Sequence, residues 1–190
     1  MNVYGILPFA RHLLVKAIPS GGIAVDCTVG NGHDTLFLAQ LVGKSGVVYG
    51  FDIQELALNK TREKLLQNDA TEQVRLFLAG HEHLEEKISA EHAGKVNGAI
   101  FNLGYLPGSD KAIVTKPETT IAAIEQLLSV MTAGGIIVIV IYHGHEEGKT
   151  ERDAVVSYAE QLDQRATHVL RYQFINQANN PPFIIVIEKR

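Results

Sequence analysis

The stretch Ala24-Val25-Asp26-Cys27-Thr28-Val29-Gly30-Asn31-Gly32-His33-Asp34-Thr35 leaves this chain few folds to choose from. A short apolar run ends in an acid, two glycines follow one residue apart, and a helical pattern (Leu36, Phe37, Ala39, Gln40, Leu41) begins at once. That order predicts a first strand, a tight turn and a helix N-terminus. Gly30 and Gly32 permit positive φ and put no Cβ between the backbone and a ligand lying on it. The free amides of the helix start favour a carboxylate or phosphate. The spacing, Asp-x-x-x-Gly-x-Gly, lacks the third glycine of the dinucleotide fingerprint and the Gly-Lys-Ser/Thr of a phosphate-gripping loop. A glycine turn that serves packing alone is the competing reading at this point.

The next strand narrows the choice. Val47-Val48-Tyr49-Gly50-Phe51-Asp52 ends in a second acid, followed by Ile53-Gln54. A carboxylate there stands where a ribose diol would lie, and it accepts two hydroxyl hydrogen bonds well. Together the two strand ends resemble the S-adenosylmethionine (SAM) site of class I methyltransferases. The resemblance implies that Asp26, Thr28, Gly30 and Gly32 surround the methionine end of the cofactor. Asp52 would hold the ribose and Ile53 would lie against the adenine.

The rest of the chain alternates strand and helix. A helix is expected over Leu7 to Ile18, with Arg11, His12 and Lys16 as its basic positions, stopped by Pro19-Ser20-Gly21-Gly22. Strands are expected at Ile23 to Cys27, Val47 to Asp52, Val74 to Leu78, Val96 to Phe101 and Ile136 to Ile141. Helices are expected to about Val42, from Gln54 to Gln67, from Gly80 to near Gly94, from Pro117 to Met131 and from Glu147 to Leu162. The run Ile136 to Ile141 is entirely β-branched, as suits a strand buried on both faces. Thr167 to Ile175 and Phe183 to Ile187 read as an antiparallel pair closing the sheet, across Asn179-Asn180-Pro181-Pro182. The expected fold is α/β: a doubly wound, Rossmann-like, mostly parallel sheet of seven strands with the last antiparallel, preceded by an N-terminal helix. The 190 residues fit a single domain. Ligands on such sheets bind beyond the carboxyl ends of the strands, where Asp26, Asp52, Gly80-His81, Asn102 and Tyr142-His143 all fall.

Composition removes several alternatives. Hydrophobic residues make up 46% and charged residues 20%, so the chain has the means to form a core. The single cysteine, Cys27, excludes an internal disulfide and fits a reducing cytoplasm. No secretory signal is expected at the N-terminus, and the most apolar run, Gly135 to Tyr142, is too short to span a bilayer. A net charge of −4 argues against a non-specific nucleic-acid coat. It leaves room for a local basic face from Arg11, His12 and Lys16 with Lys111 and Lys116.

Chemistry is expected at the end of the fourth strand, in Phe101-Asn102-Leu103-Gly104-Tyr105. Amino-methylating members of the methyltransferase class carry Asp/Asn-Pro-Pro-Tyr/Phe here. A side-chain and a backbone carbonyl accept the two N–H bonds of the target amine, and the aromatic ring stacks on the substrate. Asn102, the Leu103 carbonyl and Tyr105 can supply these parts, with Leu103-Gly104 in place of the two prolines. A strand-end turn is the structural alternative. The amine must be unprotonated to react, which makes His143 and His145, in Tyr142-His143-Gly144-His145-Glu146-Glu147, candidate bases. The same His-x-His with two acids also admits a metal reading, but methyl transfer needs none, and no metal is expected. His81-Glu82-His83 is assigned to the cofactor pocket or a helix start. His92 and His168 are read as surface or packing residues.

Leu7-Pro8-Phe9-Ala10-Arg11, Gly30-Asn31-Gly32-His33-Asp34-Thr35, Gly50-Phe51-Asp52-Ile53-Gln54 and Asn102-Leu103-Gly104-Tyr105-Leu106-Pro107-Gly108-Ser109-Asp110-Lys111 together resemble the YtqB/MnmM-type methyltransferases, also labelled rRNA methylase-like. The resemblance spans essentially the whole chain. It implies SAM-dependent methylation of the aminomethyl group of the wobble uridine, position 34, in tRNA. It also implies Asn31, Asp34, Asp52, Gln54, His81 and Glu82 as cofactor contacts, with Asn102 reaching both cofactor and substrate. Arg11, Leu103, Gly104, Lys111, Tyr142 and His145 are assigned to the substrate side, and Asn102, Tyr105 and His143 to catalysis. The expected partner is the tRNA anticodon region, with neither DNA nor membrane, and a homodimer is compatible. A SAM-dependent enzyme acting on rRNA or a small-molecule amine, and a non-catalytic SAM- or nucleotide-binding protein, are the competing functions.

Overall fold

A computed structural model describes residues 2–104, 115–144 and 146–190, without the side chains of 146 and 147. Among the described residues, seven strands form one sheet in the order β3-β2-β1-β4-β5-β7-β6. These are β1 (Ile23–Asp26), β2 (Val47–Asp52), β3 (Val74–Leu78), β4 (Val96–Leu103), β5 (Met131–Ile141), β6 (Thr167–Tyr172) and β7 (Phe183–Lys189). The first five are parallel to one another, and β7 runs antiparallel to both β5 and β6. The chain order reverses between β1 and β4, which opens a crevice at the carboxyl ends of those strands.

Helices cover both faces. α1 (Ile6–Ala17), α2 (His33–Val42) and α3 (Glu55–Gln67) pack on one core that includes Ala24, Val48, Ile100, Val138 and Val140. α4 (Leu84–Lys87), α5 (Pro117–Val130) and α6 (Glu146–Glu160) lie on the other face, against Val25, Phe51, Phe101, Ile139 and Ile141. Successive strand residues point to opposite faces, so position along a strand decides which helical layer a side chain meets. Every residue of Ile136 to Ile141 is buried, as its β-branched run predicts.

Three expectations need correction. The helix expected from Gly80 to Gly94 is broken into a 3₁₀ turn at His81–His83, the single turn of α4, and a second 3₁₀ turn at Ala90–His92. Tertiary hydrogen bonds override the helical pattern there. Tyr49 Oη accepts the Ser89 N–H at 3.2 Å and bonds His92 Nδ1 at 2.8 Å, and Ile88 is drawn into an extended conformation. His92 is therefore a packing residue. The second correction is at β5, which begins at Met131, directly after α5. Its register shifts between the pairs Val96–Met131 and Gly98–Ile136, and Gly134 sits at φ 77° in the irregularity. Third, the strand expected to reach Ile175 stops at Tyr172.

Candidate active site

The site is built from the ends of β1, β2, β4 and β5. Asp26, the last residue of β1, is completely buried. Burial raises its carboxyl to about 7, nearby Asp34 pushes the same way, and the Thr35 and Thr28 hydrogen bonds only partly offset this. Thr35 Oγ1 donates to its Oδ2 at 2.6 Å and the Thr28 N–H to its Oδ1 at 3.1 Å. Thr35 was missed at the sequence level. The signal was available, since an acid inside an apolar strand needs donors nearby.

The glycine turn crosses next to Asp52. Gly30 has φ 52° and its N–H donates to Asp52 Oδ2 at 2.8 Å, while the Gln54 N–H donates to Oδ1 at 2.8 Å. Each oxygen keeps a second lone pair beyond these bonds. Gly32, at φ 71°, lies so close to the buried Thr61 that a Cβ there would stand 2.5 Å from its Oγ1. Lys64 Nζ holds the Asn31 carbonyl at 2.6 Å and His33 Nδ1 at 3.1 Å. Thr61 and Lys64 carry no sequence signal for this role, being some thirty residues away on α3. α2 follows Gly32 with no side-chain cap, which leaves its first-turn amides without a capping partner at the carboxyl end of β1.

Asn102 occupies the centre. Its backbone N–H donates to Thr28 Oγ1 at 2.7 Å, and its Nδ2 donates to Asp34 Oδ2 at 2.7 Å. Asp34 is itself held by Arg11, whose Nη2 lies 2.9 Å from Oδ1 and whose guanidinium stands over the Phe37 ring. The amide of Asn102 is thus orientated from its nitrogen end, and its carbonyl oxygen is the atom left to accept. Burial raises the Tyr142 phenol, the Asp34 carboxylate pushes the same way, and the group stays neutral. The Leu103 carbonyl already accepts the Tyr142 N–H, at a long 3.4 Å. Gly104 is clamped by Thr115, which accepts its N–H at 3.1 Å. The Thr115 hydroxyl passes on to Glu151 at 2.5 Å, and Thr120 bonds the same buried carboxylate at 2.8 Å. Thr115, Thr120 and Glu151 were not foreseen.

His81 lies under the Asp52 end. Its Nδ1 is 2.9 Å from the Cys27 carbonyl, an acceptor, so Nδ1 carries the proton. Burial lowers the imidazole below its ordinary value, which keeps it neutral at pH 7 and leaves Nε2 a buried acceptor without a partner among the described residues. Ile53 and Leu78, registered beside Asp52, are 60% and 57% exposed, an apolar pair in water at the mouth of the crevice. Glu82 folds its carboxylate back against Gly80, and its carbonyl accepts from Gln126.

The structure does not bring His143 to this cluster. Asp26, Asp52, Asn102 and Tyr142 share the strand face toward α1–α3, while His143 continues the series Ile137, Ile139, Ile141 on the α4–α6 face. Its ring meets Phe183 edge-on at 5.5 Å and lines a cleft of about 350 Å³ with Arg152 and Arg171. Lys116 is the residue before α5, a helix of that same layer, whereas Arg11, His12 and Lys16 stand on α1, in the other layer. Tyr105, Lys111 and His145 lie outside the described residues. Among the described residues no group of three or more His, Cys, Asp or Glu is placed to hold a metal ion.

The model of the family described as "Putative rRNA methylase" matches residues 48–188. The chain belongs to the rRNA methylase family. Members are SAM-dependent methyltransferases, and the fold is theirs: the putative rRNA-methylase of Clostridium thermocellum superposes with a TM-score of 0.96 at 39% identity over the whole of both chains. "A putative methyltransferase from Streptococcus mutans in complex with SAH" superposes at 0.89 with 40% identity, over 99% of each chain. The chloroplastic tRNA (mnm(5)s(2)U34)-methyltransferase of Arabidopsis thaliana is 33% identical over 92% of this chain. This chain spans 66% of that relative's length. The residues present fit the family's cofactor. A neutral orphan acceptor at His81, a carboxylate with free lone pairs at Asp52 and exposed Ile53 suit an adenosine, and the uncapped α2 start suits a carboxylate.

Proposed function

We propose that this chain is a SAM-dependent N-methyltransferase that converts 5-aminomethyl-(2-thio)uridine at tRNA position 34 to its 5-methylaminomethyl form. The observation that carries the reading is the orientated side chain of Asn102: its backbone N–H is held by Thr28, its Nδ2 by Asp34, and its amide oxygen is left to accept. An acceptor in that position suits a nucleophile that carries N–H bonds. The name of the Arabidopsis relative supports the same substrate.

Bound in the crevice, SAM would supply an electrophilic methyl group on a sulfonium. The residues named above would do the rest. His81 Nε2 would accept from the adenine amino group, Asp52 from the ribose hydroxyls, and the α2 amides would face the methionine carboxylate. The Asn102 carbonyl would accept one N–H of the target amine and turn its lone pair toward the methyl group. The Leu103 carbonyl keeps a second lone pair for the other N–H. Positioning of this kind supplies much of a methyl-transfer barrier reduction. Tyr142, held neutral, offers a ring face to the base. We place the reaction in the cytoplasm, where the single buried thiol Cys27 stays reduced.

Nucleoside mass spectrometry of tRNA from cells with and without the gene tests this, followed by methylation in vitro with labelled SAM. The expected result is loss of the methylaminomethyl nucleoside with build-up of its aminomethyl precursor, restored by wild type but not by Asn102→Ala. An unchanged tRNA profile with label appearing in rRNA would replace the tRNA reading with the rRNA one that the family description favours.

A further inference from the structure

The peptide unit that joins Leu103 to Gly104 is where β4 leaves the sheet. Leu103 is the last residue of β4 in register with β5, opposite Ile141. The carbonyl of this peptide is the second acceptor assigned above to the target amine. The strand alone does not set its plane, because the Tyr142 N–H reaches that carbonyl only at 3.4 Å. None of the described peptide bonds is cis. The N–H and C=O of one trans unit point in opposite directions, so holding one aims the other. The hold is on the Gly104 side. Its N–H donates to Thr115 Oγ1 at 3.1 Å, and its own carbonyl accepts the Thr115 N–H at 3.3 Å. Gly104 has φ 142°, which a residue with a Cβ rarely adopts.

Glu151 is what makes Thr115 an acceptor. A hydroxyl has one proton, and that of Thr115 goes to Glu151 Oε2 at 2.5 Å, which leaves its oxygen to receive the Gly104 N–H. Thr120 Oγ1 donates to Oε1 of the same carboxylate at 2.8 Å. Glu151 is 2% exposed, and it shares the buried stripe of α6 with Val155 and Ala159, four and eight residues further on. Packing alone would be served by another apolar residue there, since a buried acid is costly to place. Hydrogen bonds in series strengthen one another. A series that ends on a carboxylate therefore draws on the Gly104 N–H and makes the Leu103 oxygen, across the same peptide, a better acceptor.

We propose that Glu151 and Thr115 are positioning residues for methyl transfer. Through the Gly104 N–H they fix the plane of the Leu103–Gly104 peptide and aim the Leu103 carbonyl at the second N–H of the target amine. The proposal rests on the amine-methylation reading above and deepens it. Thr115→Val keeps the shape and removes the hydroxyl, Thr115→Ser restores the hydroxyl, and Glu151→Gln replaces the carboxylate with a weaker acceptor of the same size. For each variant the single-turnover rate of tRNA methylation at saturating SAM, the KM for tRNA and the SAM affinity by calorimetry are measured. Leu103–Gly104 is the only Leu–Gly step in the chain, so carbonyl-13C leucine with 15N glycine picks out that one amide for hydrogen exchange. Thr115→Val should lower the rate about tenfold and speed exchange of the Gly104 amide about tenfold, with KM and SAM affinity within about twofold. Thr115→Ser should stay within about twofold of wild type throughout, and Glu151→Gln should lower the rate about threefold. A Thr115→Val rate equal to wild type overturns the positioning role whatever the amide does. So does a loss of SAM affinity as large as the loss of rate, which would make the contact a general support of the crevice. Label entering rRNA and not tRNA overturns the wobble-uridine reading alone, and a tenfold loss for Thr115→Val measured on rRNA then keeps the positioning role. Transfer to neither RNA overturns both.

Discussion

Tyr142 and His143 are neighbours in the chain and strangers in the fold. Tyr142 reaches the side of the sheet that holds Asp26, Asp34 and Asn102, among hydrogen bonds that are nearly all satisfied. His143 turns to the α6 layer, its Nδ1 without a partner among the described residues, beside Phe183, Arg152 and Arg171. One step along an extended backbone separates an organised polar cluster from a packing position with charges around it. Residue type and position at a strand end are therefore not enough to assign a role. The face has to be known as well.

The largest effect should come from the organised side. Asn102→Ala removes the accepting carbonyl and should lower kcat about a hundredfold, with cofactor affinity changed less than threefold by calorimetry. Asp34→Asn leaves Asn102 in place but weakens the bond to its Nδ2 and the ion pair with Arg11. It should cost about tenfold in kcat, and a rate equal to wild type would mean that Asn102 needs no orientation from its nitrogen end. On the cofactor side, Asp52→Ala removes an acceptor that also holds the Gly30 and Gln54 amides. Its SAM dissociation constant should rise about a hundredfold, the equivalent of roughly 3 kcal/mol.

Asp26 gives the same side a signature in stability. Its folded value of about 7 lies above the ordinary 3.8, so the native state holds a proton that the unfolded chain has lost between those values. Stability from this group is full below about pH 4 and declines as pH rises through 7. Between pH 5.5 and 8.5 the decline should be about 2 kcal/mol in urea unfolding. Asp26→Asn should flatten that slope. A wild-type protein whose urea midpoint is no lower at pH 8.5 than at 5.5 would show that the carboxylate is charged throughout.

Much of this was legible in the sequence. Strand–helix alternation and the β-branched run Ile136 to Ile141 predict the doubly wound sheet, because burial on both faces demands such residues. Asp26, Gly30, Gly32 and Asp52 were legible because a tight turn and acids at strand ends are local patterns. Three things were not. Thr61, Lys64 and Glu151 act on the site across tens of residues, and no spacing encodes such contacts. The break in the helix after Gly80 comes from Tyr49 Oη, which competes for Ser89 from another strand. The role of Arg11 was half visible: its charge suggested substrate, and the fold spends it on Asp34.

The smallest expected effect is the sharpest test of the comparison. His143 has the residue type of a general base, and the next four residues in sequence include a second histidine and two acids. Burial, with Arg152 and Arg171 nearby, lowers its imidazole, so it is neutral and formally able to take a proton at pH 7. Basicity is therefore not what separates it from the reaction; its face is. Its ring is packed on Phe183, on the α4–α6 side of the sheet from Asn102 and Asp34. His143→Gln should destabilise the protein by about 1 kcal/mol through that lost ring contact. It should leave kcat within about threefold at pH 7 and the pH–rate profile unmoved. A drop of a hundredfold, with cofactor affinity intact, would mean that the strand end reverses its face when tRNA binds. The two environments would then be one site seen in two states.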